Sequence, residues 1–473
     1  MSSSPAETPD HPDLIVLGGG SGGYACALRA AELGLAVTLV EKDKVGGTCL
    51  HRGCIPTKAW LHAAEVADTV RESERFGIGA ALTGVDVPAL RRYADGVVSR
   101  LHKGLTGLVR SRRVTVVEGS GELLAPEADG RPGVRVDGRE LRASAVVLAT
   151  GSQPRLVPGL ELDDRVLTSD QALRLERLPG SALVLGGGVI GVEFASAWRS
   201  LGVEVTVVEA LPRLLPAEDP ASSAAIERAY RKRGIDVRTG SAMAGLERTA
   251  DGVRLTLESG QSVEAELLLV AVGRGPVSDG LGYAEAGVAL NRGYVETDER
   301  LATGVAGVWA VGDLVFGPQL AHRGFAHGIF VAEEVARAAG RDLPAPNPVR
   351  DESVPRVTYS SPEVASVGLS EAEARERHGD VRTLTYDLAG NGKSQILRTQ
   401  GFVKLVALPD GPVVGVHLVG DRVGELISEG QLIVDWAALP GEVADLLHPH
   451  PTQSEALGEA HLALAGKPLH AHG

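Results

Sequence analysis

Two separate stretches of this chain carry one pattern, and few folds accommodate it twice. The apolar run Leu14–Leu17 leads at once into Gly18, Gly20 and Gly23, spaced G-x-G-x-x-G. A helical stretch (GYACALRAAELG) follows, then a second apolar run at 36–40 that ends in Glu41. The first glycine allows a tight turn, the second lets a pyrophosphate approach, and the third lets helix pack on strand. Phosphate then lies at a helix N-terminus, where free N–H groups and the dipole favour it. Glu41, eighteen residues beyond Gly23 (41 − 23), is placed to accept hydrogen bonds from a ribose. The pattern returns at 183–185 with Gly186, Gly188 and Gly191, a helical stretch (VEFASAWRSLG), and a run at 203–208 ending in Glu209, again eighteen residues on (209 − 191). One such motif means little in a chain with 60 glycines. Two complete units predict an α/β protein with two doubly wound domains that bind two different dinucleotides. An acid at the end of the second strand repels a 2′-phosphate, so the second site should prefer NAD over NADP. Arg213 is the counter-signal, which keeps NADP open as the lesser alternative, and is read as a surface or adenine-side residue.

Between the two units stands GGTCLHRGCIPTK, residues 46–58. Cys49 and Cys54 lie five residues apart in a chain whose only other cysteine is Cys26. A cytosolic protein gains little from a structural disulfide closing so short a loop. On a continuous helix the two positions would point about 140° apart, so bridging them needs a bent turn. Strained disulfides are the easily reduced ones, and the chemistry that suits this pair is reversible dithiol–disulfide exchange. Structural cystine or zinc is the alternative reading, though His51 is the only further metal ligand nearby. Cys26 falls on the apolar face of the first helix and reads as a small buried hydrophobe.

At 473 residues the chain should hold three or four domain-sized units. Hydrophobic residues make up 44 % and aromatics only 4 %, so Ala, Val and Leu must fill the cores. A net charge of −14 argues against nucleic acid or an anionic membrane as partner. The short basic run Arg231, Lys232, Arg233 reads as a solvated helix end. No apolar stretch reaches the length of a membrane span, residues 1–12 lack a signal peptide's apolar core, and three cysteines suit a reducing cytoplasm. The first twelve residues are expected to form a disordered tail, as are His470 and His472 at the other end.

A disulfide motif set between two dinucleotide sites resembles the flavin disulfide reductases, and the likeness runs from about Asp13 to Ala463. Within that family the residues look most like the lipoamide branch. They include GGTCLHRGCIPTK, ATG at 149–151, GGGVIGVE at 186–193, VAVGRGP at 270–276 and AVGD at 310–313. QLAHRGFAHG at 319–328, VTYSSPEVASVGLSE at 357–371 and HPHPTQSE at 448–455 complete the match. Two departures stand out. Val189 replaces the aromatic gate of glutathione reductases, in keeping with the lipoamide branch, and His327 stands where many members of that branch have Glu.

The resemblance implies a division of labour. FAD would lie on Gly18, Gly20, Gly23, Glu41, Gly47 and Thr48, completed by Gly121, Thr150, Gly151, Asp313 and Ala321. NAD would lie on Gly186, Gly188, Gly191, Glu209 and Gly273. Cys54 would be the thiolate nearer the flavin and Cys49 the interchange sulfur that meets substrate. Only a thiolate is nucleophilic, so a base is needed. His450 is the candidate, oriented by Glu455, and the same resemblance implies a cis bond before Pro451. Lys58 and Glu193 would pair beside the reactive edge of the flavin. His448, one place outside the match, is expected in a structural or exposed role.

The expected domains are 13–153 (FAD), 154–280 (NAD), 281–349 (a central domain completing the FAD site) and 350–473 (an α+β interface domain making a homodimer). By resemblance the activity is oxidation of protein-bound dihydrolipoamide, with electrons passing through the disulfide and FAD to NAD⁺. The substrate would arrive on a lipoylated protein of a 2-oxoacid dehydrogenase or glycine-cleavage complex. The rivals are a reductase of glutathione- or mycothiol-type disulfides and a catalytically idle flavoprotein serving as a structural subunit. Mercuric reductase is disfavoured because the C-terminus has no cysteine pair.

Overall fold

The computed structural model describes residues 11–471, so residues 1–10 of the N-terminal tail and His472 lie outside the described residues. The chain forms two compact units, each built from three stretches. One comprises the residues up to Thr57 with Arg92–Arg155 and Arg274–Asp351; the other comprises Lys58–Arg91, Leu156–Gly273 and the residues from Glu352 onward.

The first unit is organised by a parallel sheet in the spatial order Val308–Ala310, Ala145–Leu148, Leu14–Leu17, Val37–Glu41, Thr115–Glu118. Leu14, Ile15 and Val16 are wholly buried, which is why this strand reads as an unbroken apolar run rather than an alternating one. Each such side chain taken from water stabilises the fold by ~1.5–3 kcal/mol. In chain order the strands run outward from Leu14–Leu17 in both directions, and the reversal falls between that strand and Ala145–Leu148. Ligands of doubly wound sheets bind beyond the carboxyl ends of the strands at such a reversal. Helix Ser21–Glu32 turns Cys26, Ala27 and Ala30 inward, as the apolar face predicted. It crosses helix Ala321–Ala338 so closely that a Cβ on Gly328 would stand 2.2 Å from the Gly22 carbonyl oxygen. The stretch expected as a central domain thus supplies both the fifth strand and this helix. An antiparallel meander, Gly121–Leu124, Gly133–Val136 and Arg139–Arg142, forms the crossover connection.

The second unit repeats the device. Its parallel sheet runs Asp236–Arg238, Glu204–Val208, Ser181–Leu185, Leu267–Val270, Val166–Thr168, with the reversal between Ser181–Leu185 and Leu267–Val270. A meander again makes the crossover: Met243–Arg248, Val253–Leu257, Ser262–Ala265. The same unit holds an antiparallel sheet, Arg356–Thr358, Glu363–Gly368, Val413–Gly420, Phe402–Ala407, Arg382–Asp387. Helices Ile427–Asp435 and Glu455–Leu464 share its core through Ile427, Leu457 and Leu464.

Two sequence expectations are corrected. Arg231 and Lys232 are exposed at the end of helix Pro220–Lys232, as expected, but Arg233 is held: its guanidinium donates to Ser196 Oγ (2.8 Å), Ser200 Oγ (2.6 Å) and the Ser361 carbonyl (2.9 Å). His470 is not in a loose tail, since its N–H and ring Nδ1 both bind the Glu459 carboxylate, at 3.0 and 2.9 Å.

Candidate active site

Both glycine loops are built alike. Gly18 (φ +105°) and Gly186 (φ +112°) adopt backbone that disfavours side chains, and a Cβ on either would stand 2.4 Å from the carbonyl oxygen of Ala149 or Ala271. Each loop therefore lies against the second strand end at its reversal, the segment that continues into Thr150 and Gly151 or into Gly273. A Cβ on Gly23 or Gly191 would meet the first glycine's carbonyl oxygen at 1.8 or 1.9 Å, so helix and loop touch there. Gly20 and Gly188 differ: a Cβ on either would meet no protein atom within 4 Å. Nothing inside the protein requires those glycines, which fits a ligand's pyrophosphate coming close from outside. A Cβ on Gly47 would run into the Gly20 Cα at 2.6 Å, so the cysteine segment, Thr48 included, begins against the first loop.

The two acids share a geometry that sequence reasoning missed. Glu41 accepts from the Gly19 N–H (2.6 Å) and the Asp43 N–H (2.8 Å). Glu209 accepts from the Gly187 N–H (2.5 Å) and the Leu211 N–H (2.7 Å). Each carboxylate shapes its own loop and keeps further lone pairs able to accept hydrogen bonds. Arg213 donates to the Pro216 carbonyl (2.7 Å), so it is engaged within its own turn.

The cysteines flank a break in helix. Cys49 lies in helix Gly47–His51 and Cys54 opens helix Cys54–Glu72, with Arg52 and Gly53 forming the bend that a bridge requires. Both are half-buried, whereas Cys26 is wholly buried. Among the described residues no group of three or more His, Cys, Asp or Glu could hold a metal. Tyr24, directly after the glycine motif, has its phenol pushed up to about 12, first by burial and then by the charges of Cys49 and Cys54.

Asp313 sits in the turn Gly312–Leu314 just past the fifth strand, and Ala321 opens the helix that follows. Asp313 Oδ2 accepts from the Ser152 hydroxyl (2.6 Å), whose oxygen accepts from Arg274 Nε (2.8 Å). Thr150 donates to the Val277 carbonyl (2.6 Å). Gly121 is fixed by packing: a Cβ there would stand 2.6 Å from Leu17 Cδ1. His327, nearly excluded from solvent, accepts from the Gly312 N–H at Nδ1 (3.3 Å). Burial, then the Arg323 charge, lowers its imidazole to about 3, so it is neutral at ordinary pH.

In the second unit Lys58 Nζ reaches both oxygens of the buried Glu193, each at 2.8 Å, and lies 4.8 Å from the centre of the Tyr359 ring. The Tyr359 N–H also donates to Glu193 (3.0 Å). His450 Nδ1 is 2.7 Å from Glu455 Oε1, and Glu455 Oε2 accepts from the Thr452 N–H (2.7 Å). Burial alone would raise the Glu455 carboxyl, but Thr452 and His450 outweigh it and hold it below the usual value. The His450 side chain is 78 % exposed, so Nε2 faces outward. The peptide before Pro451 is cis, as the resemblance implied.

Residues 12–328 match the pyridine nucleotide-disulphide oxidoreductase family, and residues 354–461 match that family's dimerisation domain. The chain belongs to this family of enzymes. It is 40 % identical to a dihydrolipoyl dehydrogenase of Bacillus subtilis, across 97 % of this chain and 99 % of that one. It is 33 % identical to the mitochondrial dihydrolipoyl dehydrogenase of Pisum sativum, across 98 % and 94 %. Among solved structures, LpdA from Mycobacterium tuberculosis superposes with a TM-score of 0.87 at 29 % identity, covering 95 % of this chain and 99 % of that one. The dimerisation domain supports a homodimer. Among the described residues no helix is long and apolar enough to cross a membrane.

Proposed function

We propose that the protein is a homodimeric, FAD- and NAD-dependent dihydrolipoamide dehydrogenase. The observation that carries this reading is the outward-facing His450, oriented by Glu455, in a chain alike along its whole length to dihydrolipoyl dehydrogenases. FAD suits the first loop, with its open space at Gly20, and would be held by Gly18, Gly20, Gly23, Glu41, Gly47, Thr48, Thr150, Gly151, Asp313 and Ala321, with Gly121 behind them. NAD suits the second loop, with its open space at Gly188, and would be held by Gly186, Gly188, Gly191, Glu209 and Gly273.

In this mechanism His450 of one chain takes a proton from a dihydrolipoamide thiol at the other chain's Cys49–Cys54 disulfide. The resulting thiolate attacks Cys49 Sγ, and Cys54 leaves as a thiolate. The second substrate sulfur closes on the first, its proton replacing the one His450 hands to the departing Cys49; lipoamide leaves, with Cys49 a thiol, Cys54 a thiolate and His450 protonated. The disulfide has then gained the two electrons that the substrate lost. Bound FAD would carry those electrons from the dithiol to NAD⁺ as a hydride. Lys58, fixed by Glu193, would by resemblance to the family supply the positive charge that stabilises reduced flavin. Lipoylated proteins of a 2-oxoacid dehydrogenase or glycine-cleavage complex are the substrates this chemistry fits, and with three cysteines in the chain we place it in the cytoplasm.

The test is turnover of purified protein with dihydrolipoamide plus NAD⁺, set against glutathione- and mycothiol-type disulfides plus NADPH. The reading requires the first to be fastest. Faster turnover of a small disulfide, or none of any substrate, overturns it.

A further inference from the structure

We propose that His448 and Glu429 form a second histidine–carboxylate pair, whose task is to hold the loop that presents His450. This rests on the reading of His450 as the base and names two positioning residues for it. His448 Nε2 lies 2.8 Å from Glu429 Oε1, and its side chain is 11 % exposed against 78 % for His450. The two imidazoles of HPHP therefore face opposite ways, one inward and one outward.

The inward ring is wedged between two helices. Glu429, on helix Ile427–Asp435, holds one edge. Gly458, on helix Glu455–Leu464, receives the other: a Cβ there would stand 2.5 Å from His448 Nδ1. That second helix also carries Glu455, so one element fixes both histidines. Thr452 closes the loop by donating to the Pro449 carbonyl (2.7 Å). Pro449 and Pro451 lack N–H groups, which leaves side chains to anchor this stretch. The groups facing His448 are Glu429 from one helix and Glu455 and His461 from the other. The hydrogen bond to Glu429 raises the His448 imidazole above its ordinary value, favouring the stronger, charge-assisted form of the pair. His461 is wholly buried and held below its ordinary value by that burial, so it opposes the pair little.

A base displaced by about 1 Å can lose ~100-fold in rate. Loss of the anchor should therefore lower kcat while KM stays put. In dihydrolipoamide–NAD⁺ turnover, His448→Leu and Glu429→Ala should each lower kcat by ~10- to 100-fold with FAD content retained. His448→Gln, whose amide can still donate to Glu429, should recover most of the rate. Because the pair acts through His450, His448→Leu added to His450→Gln should cost nothing beyond His450→Gln alone. Undiminished kcat in His448→Leu and Glu429→Ala, or full additivity with His450→Gln, overturns the proposal. Full activity in His450→Gln alone is a different result: it overturns the base assignment, and the proposal falls with it.

Discussion

Glu209 has a structural task, and in the proposed reading a specificity task as well. Its carboxylate ties down the second glycine loop through the Gly187 and Leu211 N–H groups, and in the proposed reading it would also meet the NAD ribose hydroxyls. Wild type should use NAD⁺ in preference to NADP⁺. Glu209→Ala should weaken NAD⁺ by about 1–3 kcal/mol, the cost of leaving polar partners unsatisfied. It should weaken NADP⁺ less, because the repulsion of the 2′-phosphate goes too. Equal losses for both cofactors in steady-state titrations would reduce Glu209 to a loop-shaping residue. Much of this was legible beforehand, since glycine spacing and strand-end acids are local signals. The carboxylate-to-loop bonds were not legible, because they depend on how the strand end folds back on the turn.

At the scale of elements, the turn Gly312–Leu314 is clasped by helix Ala321–Ala338. His327 accepts from the Gly312 N–H, and Arg323, one helical turn earlier, donates to the Gly312 carbonyl (3.4 Å). Burial, then Arg323, lowers the His327 imidazole from 6.5 to about 3. A histidine depressed on folding contributes stability that is fully present above its unfolded value. That stability is lost as pH falls from about 6.5 towards about 3, because the unfolded chain takes up the proton first. Between pH 7 and pH 5 this amounts to about 2 kcal/mol at ~1.36 kcal/mol per unit. His327→Gln should remove that acid slope, which denaturant titrations at the two pH values would show; identical slopes in variant and wild type count against it. The residue type gave no hint of this role, which needs a partner fifteen residues away. Arg233 escaped the sequence for the same reason, its partners being Ser196 and Ser200 on another helix and Ser361 in a later loop. The strand Val413–Gly420 was opaque in another way: nearly every residue is buried, so no alternation marks it in the sequence.

At the scale of the whole molecule, catalysis would depend on sharing between subunits. Cys49 and His450 lie about four hundred residues apart, and His450 belongs to the stretch that matches the dimerisation domain. If each chain supplies the base for the other's disulfide, the dimer is the catalytic unit. Sequence resemblance pointed to this division, while local patterns could not, because no periodicity encodes which surface meets a second copy. The decisive measurement is dihydrolipoamide turnover by a doubly tagged heterodimer of a Cys49→Ser chain and a His450→Gln chain. With shared sites the heterodimer holds one doubly damaged site and one intact site, so activity should recover towards half of wild type. With sites built inside one chain, every site carries a lesion, and no recovery would be seen.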